Sequence, residues 1–308
     1  MKSVLKKLKK AVNNPKIILL VALNNEKIAR LFSDKLYLKL KYRLTMGKKL
    51  NLKSPQTFNE KLQWLKLYDR NPEYTKMVDK YEVRKYIAET IGEEYLIPLI
   101  GVWDSPDDID FESLPNKFVL KCTHNSGLGM CISKDKAQLD IAKVKKELKK
   151  GLKQNYFITS REWPYKNVKP RIIAEKYMVD ESGIELKDYK IFCFNGKAEY
   201  VEVDFNRHIE HKLNPYDFEW KPLNFCDSSK NDYSANIKKP EKLEEMRKIA
   251  EKFANNIPYL RVDFYSIYSK IYVGELTFYP GSGFIQFEPM STDFKYGEML
   301  DLERIEKS

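Results

Sequence analysis

The dipeptide Asn195-Gly196 constrains the fold of this chain more than any other feature of its sequence. It separates two runs of strand-forming residues, 189–194 and 197–203. Asn-Gly is a preferred pair for a two-residue type I′ turn, because both of its residues readily adopt positive φ. The two runs are therefore predicted to pair as an antiparallel hairpin, which favours a sheet of hairpins over one of parallel crossovers.

Other strand patterns and helical patterns in the sequence predict a fold that contains both sheets and helices. Strand patterns occur at 117–122, 171–178, 260–265 and 271–278, and helical patterns occur at 140–152 and from Pro240 onward. Strands followed by a helix, twice over, predict an α+β protein with two small sheets. The chain contains neither the G-x-G-x-x-G of a dinucleotide-binding fold nor a Walker A sequence, so a Rossmann fold is not expected.

The chain up to about residue 95 is predicted to be mainly helical. Thr57 and Glu60 have the spacing of a capping box, which predicts that a helix begins at Phe58. A second helix is predicted over 74–91, because Gly92 is a typical residue for ending a helix. A helical region is therefore expected to precede the two sheets.

The excess positive charge is concentrated at the start of the chain. Residues 1–53 hold 15 of the 55 Lys and Arg residues but only two acids, and the rest is nearly neutral. A nucleic-acid-binding module would instead interleave basic and aromatic residues on a folded surface, so no nucleic-acid partner is expected. Residues 2–12 have an amphipathic pattern that fits either a solvated helix or a helix on a membrane. We expect residues 1–53 to contact an anionic membrane or an acidic, lipid-linked glycan.

The cysteines and one apolar run indicate the cellular compartment of the protein. The four cysteines form no C-x-x-C pair, which argues against a disulfide scaffold and a structural zinc site. The apolar run at 17–23 is too short to span a membrane, and no small-residue cleavage site follows it. The expected location is the cytoplasm, with a peripheral contact at the inner face of the membrane.

Two late strands bring acidic residues together. If 260–265 and 271–278 pair as a hairpin, Arg261, Asp263, Glu275 and Thr277 can share one face of the sheet. Two carboxylates at that distance can hold hard cations. The alternative is a solvated strand face with ion pairs, and spacing alone leaves both open.

Two earlier segments could also belong to a ligand-binding site, although the evidence for each is weaker. Lys121 ends a strand and precedes a glycine-bearing loop, 123–130, whose backbone N–H groups could surround phosphates. Glu175 to Met178 form a strand end with one carboxylate followed by apolar residues. Each also fits an ordinary surface lysine or strand end.

Together these segments resemble the ATP-grasp superfamily, and within it the TupA-like branch, named for a teichuronopeptide-biosynthesis protein. The superfamily's lysine strand and loop, its hinge strand, and its R-x-D and E-x-N motifs occur here in order, with Thr277 where asparagine is usual. The branch is indicated by FNEKLQW at 58–64, FVLKC at 118–122, DYKIFCFNG at 188–196 and GELTFYPGSG at 274–283. The resemblance implies two α+β lobes that clasp ATP. It predicts a helical region at 1–95, a central lobe at 96–175 and a C-terminal lobe at 176–308.

The resemblance also implies roles for individual residues. ATP would be bound by Lys121, Ser126, Gly127, Glu175, Lys176, Tyr177, Met178 and Lys190. Two Mg²⁺ ions would lie on Asp263 and Glu275, and Arg261 and Lys190 would be the catalytic cations. Substrate contacts are expected at His124, Thr277, Gly281, Ser282 and Gly283.

The implied activity is that of an ATP-dependent carboxylate–amine ligase. ATP would convert a carboxylate into an acyl phosphate, and an amine would attack it to give an amide. Since the branch often accompanies capsule and surface-polysaccharide enzymes, the acid is expected to be a uronic acid of such a glycan. The amine would then be an amino acid or an amino alcohol.

Other functions remain alternatives on the sequence. Asp108 and Asp110 form a D-x-D pattern, which a metal-dependent glycosyltransferase of surface-polysaccharide biosynthesis would use, although a solvated linker is the simpler interpretation. His208 and His211 have no acidic companion at metal-site spacing and are interpreted as loop residues. A capsule-assembly scaffold without activity would not need Lys121, Asp263 and Glu275.

Overall fold

The computed structural model of the protein describes residues 14–207, 209–227 and 231–306. The amphipathic pattern at 2–12 and His208 lie outside these residues. The N-terminal region consists of helices α1 to α6, which span Pro15–Leu23, Glu26–Ala29, Asp34–Met46, Phe58–Tyr68, Glu73–Val78 and Val83–Ile91. The predicted capping box begins α4, where Glu60 N donates to Thr57 Oγ1 and Thr57 N donates to Glu60 Oε2.

The prediction of one helix over 74–91 is wrong, because the chain turns between α5 and α6. The Asp79 carboxylate accepts hydrogen bonds from Tyr81 N at 2.9 Å and from Glu82 N at 3.4 Å. A side chain that bonds the backbone ahead of it competes with helical hydrogen bonding. Asp79 also binds Arg171 at 2.8 Å, which holds the turn against the first sheet. The break places Lys80 at the site described below.

The first sheet contains β1 to β4, which span Leu99–Trp103, Phe118–Cys122, Met130–Ser133 and Ile172–Lys176. Its order is β1-β4-β2-β3, and each neighbouring pair is antiparallel. Helix α7, Ile141–Lys153, covers the face that carries Phe118, Leu120 and Cys122. Helix α8, Tyr156–Ser160, and a 3₁₀ turn at Trp163–Asn167 then lead into β4. The uncovered face of β2 carries Lys121.

The second sheet contains β5 to β9, which span Asp188–Phe194, Lys197–Phe205, Lys212–Tyr216, Tyr259–Ile267 and Lys270–Thr277. Its order is β7-β6-β5-β8-β9, again antiparallel between neighbours. Helices α9 to α11 span Leu243–Ala254, Ser291–Met299 and Glu303–Glu306, and α9 packs against the sheet through Met246, Ala250 and Phe253. The prediction of an α+β protein with two small sheets is confirmed.

Both hairpins that frame the site contain a β-bulge. The predicted turn at Asn195-Gly196 is present, with φ of 50° and 87°. A bulge between Phe192 and Cys193 shifts the β5–β6 register by one residue. A second bulge, between Asp263 and Phe264, shifts the β8–β9 register. A one-residue shift moves side chains to the other face of a sheet, so the bulges decide which residues face the cleft.

The helical N-terminal region shares its core with the second sheet. Leu62, Leu65, Tyr74 and Ile87 are buried in the same apolar cluster as the strands of that sheet. The Phe58 ring on α4 lies edge-on to Tyr259, with 4.9 Å between centroids. The region is therefore an integral part of the fold, and the domain boundaries at 95 and 175 stay predictions. Within the residues that the structure describes, no helix has the length and apolar character needed to span a membrane.

Candidate active site

A cavity of about 460 Å³ lies between the two sheets. Its walls include Lys121 and the four predicted hinge residues, Glu175, Lys176, Tyr177 and Met178. Apolar side chains line much of the rest, at Ile97, Val119, Met130, Ile132, Leu186 and Tyr265. A cleft lined mainly by apolar side chains, with a smaller number of charged groups, is typical of a small-molecule binding site.

The charged end of the cavity is built around Glu175 on β4. Lys121 Nζ lies 2.6 Å from Glu175 Oε2, and Arg84 Nη1 lies 3.5 Å from Glu175 Oε1. Glu175 is buried, so both cations are held at this end of the cleft. The structure thereby brings Lys121 and Glu175 together and adds Arg84, which the sequence did not indicate.

The loop after β2 has a buried base and an exposed tip. Ser126 and Gly127 are exposed at the tip, and Gly127 has a φ of 80°. His124 lies behind the tip, where its Nε2 is 3.1 Å from the carbonyl oxygen of Gln154. Burial lowers the pKa of His124 below its usual value. The tip is therefore free to meet a ligand, whereas His124 is part of the support of the loop.

Lys80 connects the loop to the second sheet. Its backbone N donates to Thr123 O at 3.2 Å, and its Nζ donates to Asn125 O at 2.9 Å. The same Nζ lies 3.5 Å from Glu275 Oε1. One ammonium group thus contacts both the candidate phosphate loop and a candidate metal ligand.

The predicted face of β8 and β9 is present. Asp263 is the direct cross-strand partner of Glu275, and Arg261 is that of Thr277. Arg261 donates to both carboxylate oxygens of Asp263 at 2.7 Å and to Thr277 Oγ1 at 3.2 Å. Since direct partners lie about 4.5–5.5 Å apart, the two carboxylates can share a ligand.

Nearby cations keep Glu275 ionised. Burial raises the pKa of its carboxyl, but the positive charges of Lys80, Arg261 and Lys121 outweigh that effect, and the pKa lies below its usual value. A side chain that is 37% exposed is also accessible to a ligand. Glu275 therefore has the charge and the access that a metal ligand needs.

Lys190 lies in the middle of the same face. Its cross-strand partners are Glu202 on β6 and Asp263 on β8. Its ammonium group forms a buried ion pair with Asp204, which also binds Arg207. Burial raises the pKa of Glu202 to about 8, although the positive charge of Lys190 acts to lower it. Lys190 is thus held rigidly by carboxylates rather than exposed on its own.

The loop that follows β9 is held by α4. Gly281, Ser282 and Gly283 follow Pro280 in a tight turn in which all three have φ between 53° and 64°. Gln63 Nε2 donates to Ser282 O at 3.1 Å and to Gly283 O at 2.6 Å. Lys66 Nζ donates to Ser282 O and to Ser282 Oγ, both at 2.9 Å. The predicted substrate loop therefore has a fixed left-handed backbone.

The donor set fits a magnesium ion that arrives with a nucleotide. Across residues 14–207, 209–227 and 231–306, no three His, Cys, Asp or Glu side chains are grouped to hold a metal ion. Mg²⁺ usually takes one or two carboxylates and completes its shell with phosphates and water. Asp263 and Glu275 supply two such carboxylates, so they fit a nucleotide-bound ion rather than a metal cage made by the protein.

Several residues of the site were not predicted from the sequence. Each of them contacts a predicted residue, pairs with one across a strand, or lines the same cavity, and they are Gln63, Lys66, Lys80, Arg84, Glu202, Asp204 and Arg207. Only Gln63 had a signal, because it belongs to the FNEKLQW pattern that indicated the branch. The rest are brought to the cleft by turns and register shifts.

The aspartates and the histidine that a glycosyltransferase or a metal site would use make contacts within the fold. Asp108 ends a 3₁₀ turn at Pro106–Asp108, and the carboxylate of Asp110 accepts from Glu112 N at 3.0 Å. Ile109 between them is buried in the core of the first sheet. His211 Nε2 lies 3.1 Å from Asp204 Oδ2. Asp108 and Asp110 are exposed, but the buried Ile109 packs their segment on the first sheet, so the segment is not the solvated linker that the sequence favoured.

Comparison with known proteins gives one family match. The family model described as TupA-like ATPgrasp matches residues 60–301, which is well over half of the chain. None of the curated proteins compared with it is significantly similar in sequence.

Solved structures of similar fold include two D-alanine–D-alanine ligases. The enzyme from Helicobacter pylori is 16% identical with a TM-score of 0.39, over 75% of this chain and 61% of that one. The enzyme from Bacillus anthracis is 18% identical with a TM-score of 0.42, over 75% and 66%. The ATP-grasp ligase PsnB, solved with its minimal precursor, Mg and ADP, is 11% identical with a TM-score of 0.36, over 82% and 64%. The chain spans less than two thirds of each of these proteins.

Proposed function

The chain belongs to the TupA-like ATP-grasp family, and on this premise we propose that it is an ATP-dependent ligase that joins a carboxylate to an amine. The family match confirms the resemblance predicted from the sequence. The observation that carries the proposal is the convergence of Lys121, Glu175 and Glu275 on one pocket, which shares Lys121 and Glu175 with the 460 Å³ cavity. Asp263 lies directly opposite Glu275 on the neighbouring strand.

In this proposal, ATP occupies the 460 Å³ cavity and the charged groups beside it. The adenine ring would lie between the apolar walls, next to the hinge residues 175–178. The phosphates would extend past Lys121 and the loop tip at Ser126 and Gly127 towards Lys80 and Lys190. When bound, Mg²⁺ would neutralise phosphate charge from its position on Asp263 and Glu275.

The proposed reaction has two steps. A carboxylate oxygen of the acid bonds to the γ-phosphorus while the bond from that phosphorus to the β–γ bridging oxygen breaks, which releases ADP. The amine nitrogen then bonds to the acyl carbon and loses a proton while the C–O bond to phosphate breaks, which releases phosphate. Arg261 would stabilise the negative charge of both transition states, since it projects from the same face as Asp263 and Glu275.

The substrate class is proposed from the resemblance to the TupA-like branch. We propose a uronic acid of a capsular or cell-surface polysaccharide as the acid and an amino acid or amino alcohol as the amine. The loop Pro280–Gly283 would receive the acceptor at the end of β9. The cytoplasmic location, with a peripheral contact at the inner face of the membrane, remains a prediction.

A panel assay of ADP release tests this function. We expect sustained ADP release only when ATP, a uronic acid and an amine are all present, because the acyl phosphate occupies the site until the amine attacks it. Lys121→Met should lose this activity, whereas Lys117→Met, at an exposed position just before the same strand, should keep it. Release of UDP from a sugar nucleotide without ATP would instead support the glycosyltransferase and contradict the proposal.

A further inference from the structure

Helix α1 and the segment after it expose an unusual number of large aliphatic side chains. Six of them are more than a third exposed, namely Ile17, Ile18, Leu19, Val21, Ile28 and Leu31. The most exposed are Val21 at 66% and Leu31 at 80%. Four of the six lie on α1, whose nine residues extend only about 14 Å. At 3.6 residues per turn they are spread around the helix rather than along one side, so the whole segment is an exposed apolar projection, called the patch below.

Packing within the protein does not account for this patch. A surface helix normally turns its aliphatic side chains to the core and its polar ones to water. In α1 only Leu23 is fully buried, where it lies beside Tyr37. Lys16 is the one charged residue of the helix. Exposed apolar patches of this kind mark surfaces that contact another molecule.

The charges around the patch identify the kind of partner. Lys16, Lys27, Arg30, Lys35 and Lys39 are exposed around it. Of the two acids in the same segment, Glu26 pairs with Arg30 at 3.8 Å and Asp34 with Arg161 at 3.2 Å, so the lysines hold the unbalanced charge. Residues 1–13 add five lysines and no acid to the sequence before α1. The patch is therefore apolar in its middle and positively charged at its rim.

We infer that this apolar–basic surface docks on an anionic phospholipid bilayer and inserts the α1 side chains at the headgroup level. Anionic headgroups complement the basic rim, and the interface accepts the aliphatic side chains. A second copy of the chain would bring the same positive charge against itself, which opposes dimerisation through this face. At nine residues, α1 is too short to span a bilayer and fits an interfacial position. The inference does not depend on the ligase activity.

Vesicle co-sedimentation of the full chain tests the inference. We expect binding to vesicles of phosphatidylcholine with about one third phosphatidylglycerol, weaker binding at high salt, and little binding to phosphatidylcholine alone. The double variant Ile18→Asp, Val21→Asp should reduce binding by about tenfold or more, because charged side chains do not enter the interface. Met290→Asp is the matched control, since Met290 is 64% exposed and lies far along the chain, after the second sheet. It should bind as the unchanged protein does.

The outcomes separate the possible occupants of the patch. Equal binding by the double variant and the control would overturn the inference. A loss of dimer in the double variant, without any vesicle binding by the unchanged protein, would assign the patch to a second copy and also overturn it. Unchanged thermal unfolding of both variants shows that folding is not the cause.

Discussion

Replacing Glu275 with glutamine is expected to lower the rate of ADP formation by about 10²–10³-fold, the range seen when one charge-stabilising group is removed from an active site. Glu275 is the cross-strand partner of Asp263, and the charges of Lys80, Arg261 and Lys121 keep it ionised. An amide keeps the size of the side chain but removes the negative charge that would attract a magnesium ion. The fold should be unaffected, because the side chain is partly exposed.

Steady-state ADP release as a function of Mg²⁺ concentration measures this effect. The variant should require more Mg²⁺ and reach a lower maximal rate, with an unchanged thermal midpoint. Glu199→Gln is the control, because Glu199 is exposed on β6 of the same sheet. An unchanged rate with an unchanged Mg²⁺ dependence would remove Glu275 from the metal site.

Replacing Lys66 with methionine is expected to destabilise the protein by about 3–5 kcal/mol, because each buried acceptor left without its donor costs about 1–3 kcal/mol. The Lys66 ammonium donates to Ser160 O at 2.8 Å and to Ser282 O and Oγ at 2.9 Å. Burial raises the pKa of Glu162, and the charge of Lys66 opposes that shift. Without Lys66, Glu162 and two backbone carbonyls lose their main positive neighbour.

Thermal unfolding should show a decrease of roughly 10 °C for Lys66→Met. The control is Lys76→Met, because Lys76 is exposed and its pair with Glu73 is worth at most about 1 kcal/mol. Adding Glu162→Gln to Lys66→Met should recover part of the loss, as expected when two residues are coupled. Equal midpoints for Lys66→Met and Lys76→Met would show that the buried network does not stabilise the loop Pro280–Gly283.

The fold was predictable where its signals are local. The turn at Asn195-Gly196, the capping box at Thr57 and Glu60, and the alternation that places Lys121 opposite Cys122 each depend on a few neighbouring residues. The prediction of one helix over 74–91 failed because it followed the apolar spacing alone. That spacing does not reveal that the Asp79 carboxylate accepts hydrogen bonds from Tyr81 N and Glu82 N and turns the chain.

The register of the site was harder to predict, because a bulge changes it by one residue. Counted from the turn at Asn195-Gly196, Lys190 would pair with Val201, and Glu202 would face the core. The bulge at Phe192/Cys193 pairs Lys190 with Glu202 instead. Glu202 and Asp204 therefore reach the cleft through a feature that alternation alone does not reveal.

The prediction for β8 and β9 succeeded with the help of a bulge. Counted from the turn at Tyr268 and Ser269, Asp263 would pair with Gly274, and Glu275 would point to the opposite face. The bulge between Asp263 and Phe264 brings Glu275 opposite Asp263. Gly274 lies at this point, and a glycine inside a strand is a recognised sign of a bulge. Lys80 and Arg84 come from the distant N-terminal region and have no comparable signal.

Transfer of ¹⁸O from the acid substrate tests the central claim most directly, namely that the cleft activates a carboxylate as an acyl phosphate. The acid that supports ADP release is supplied with both carboxylate oxygens labelled, and the phosphate product is analysed by mass spectrometry. The account predicts one ¹⁸O atom in each phosphate released, because the C–O bond breaks when the amine attacks. Phosphate that contains no ¹⁸O would contradict it.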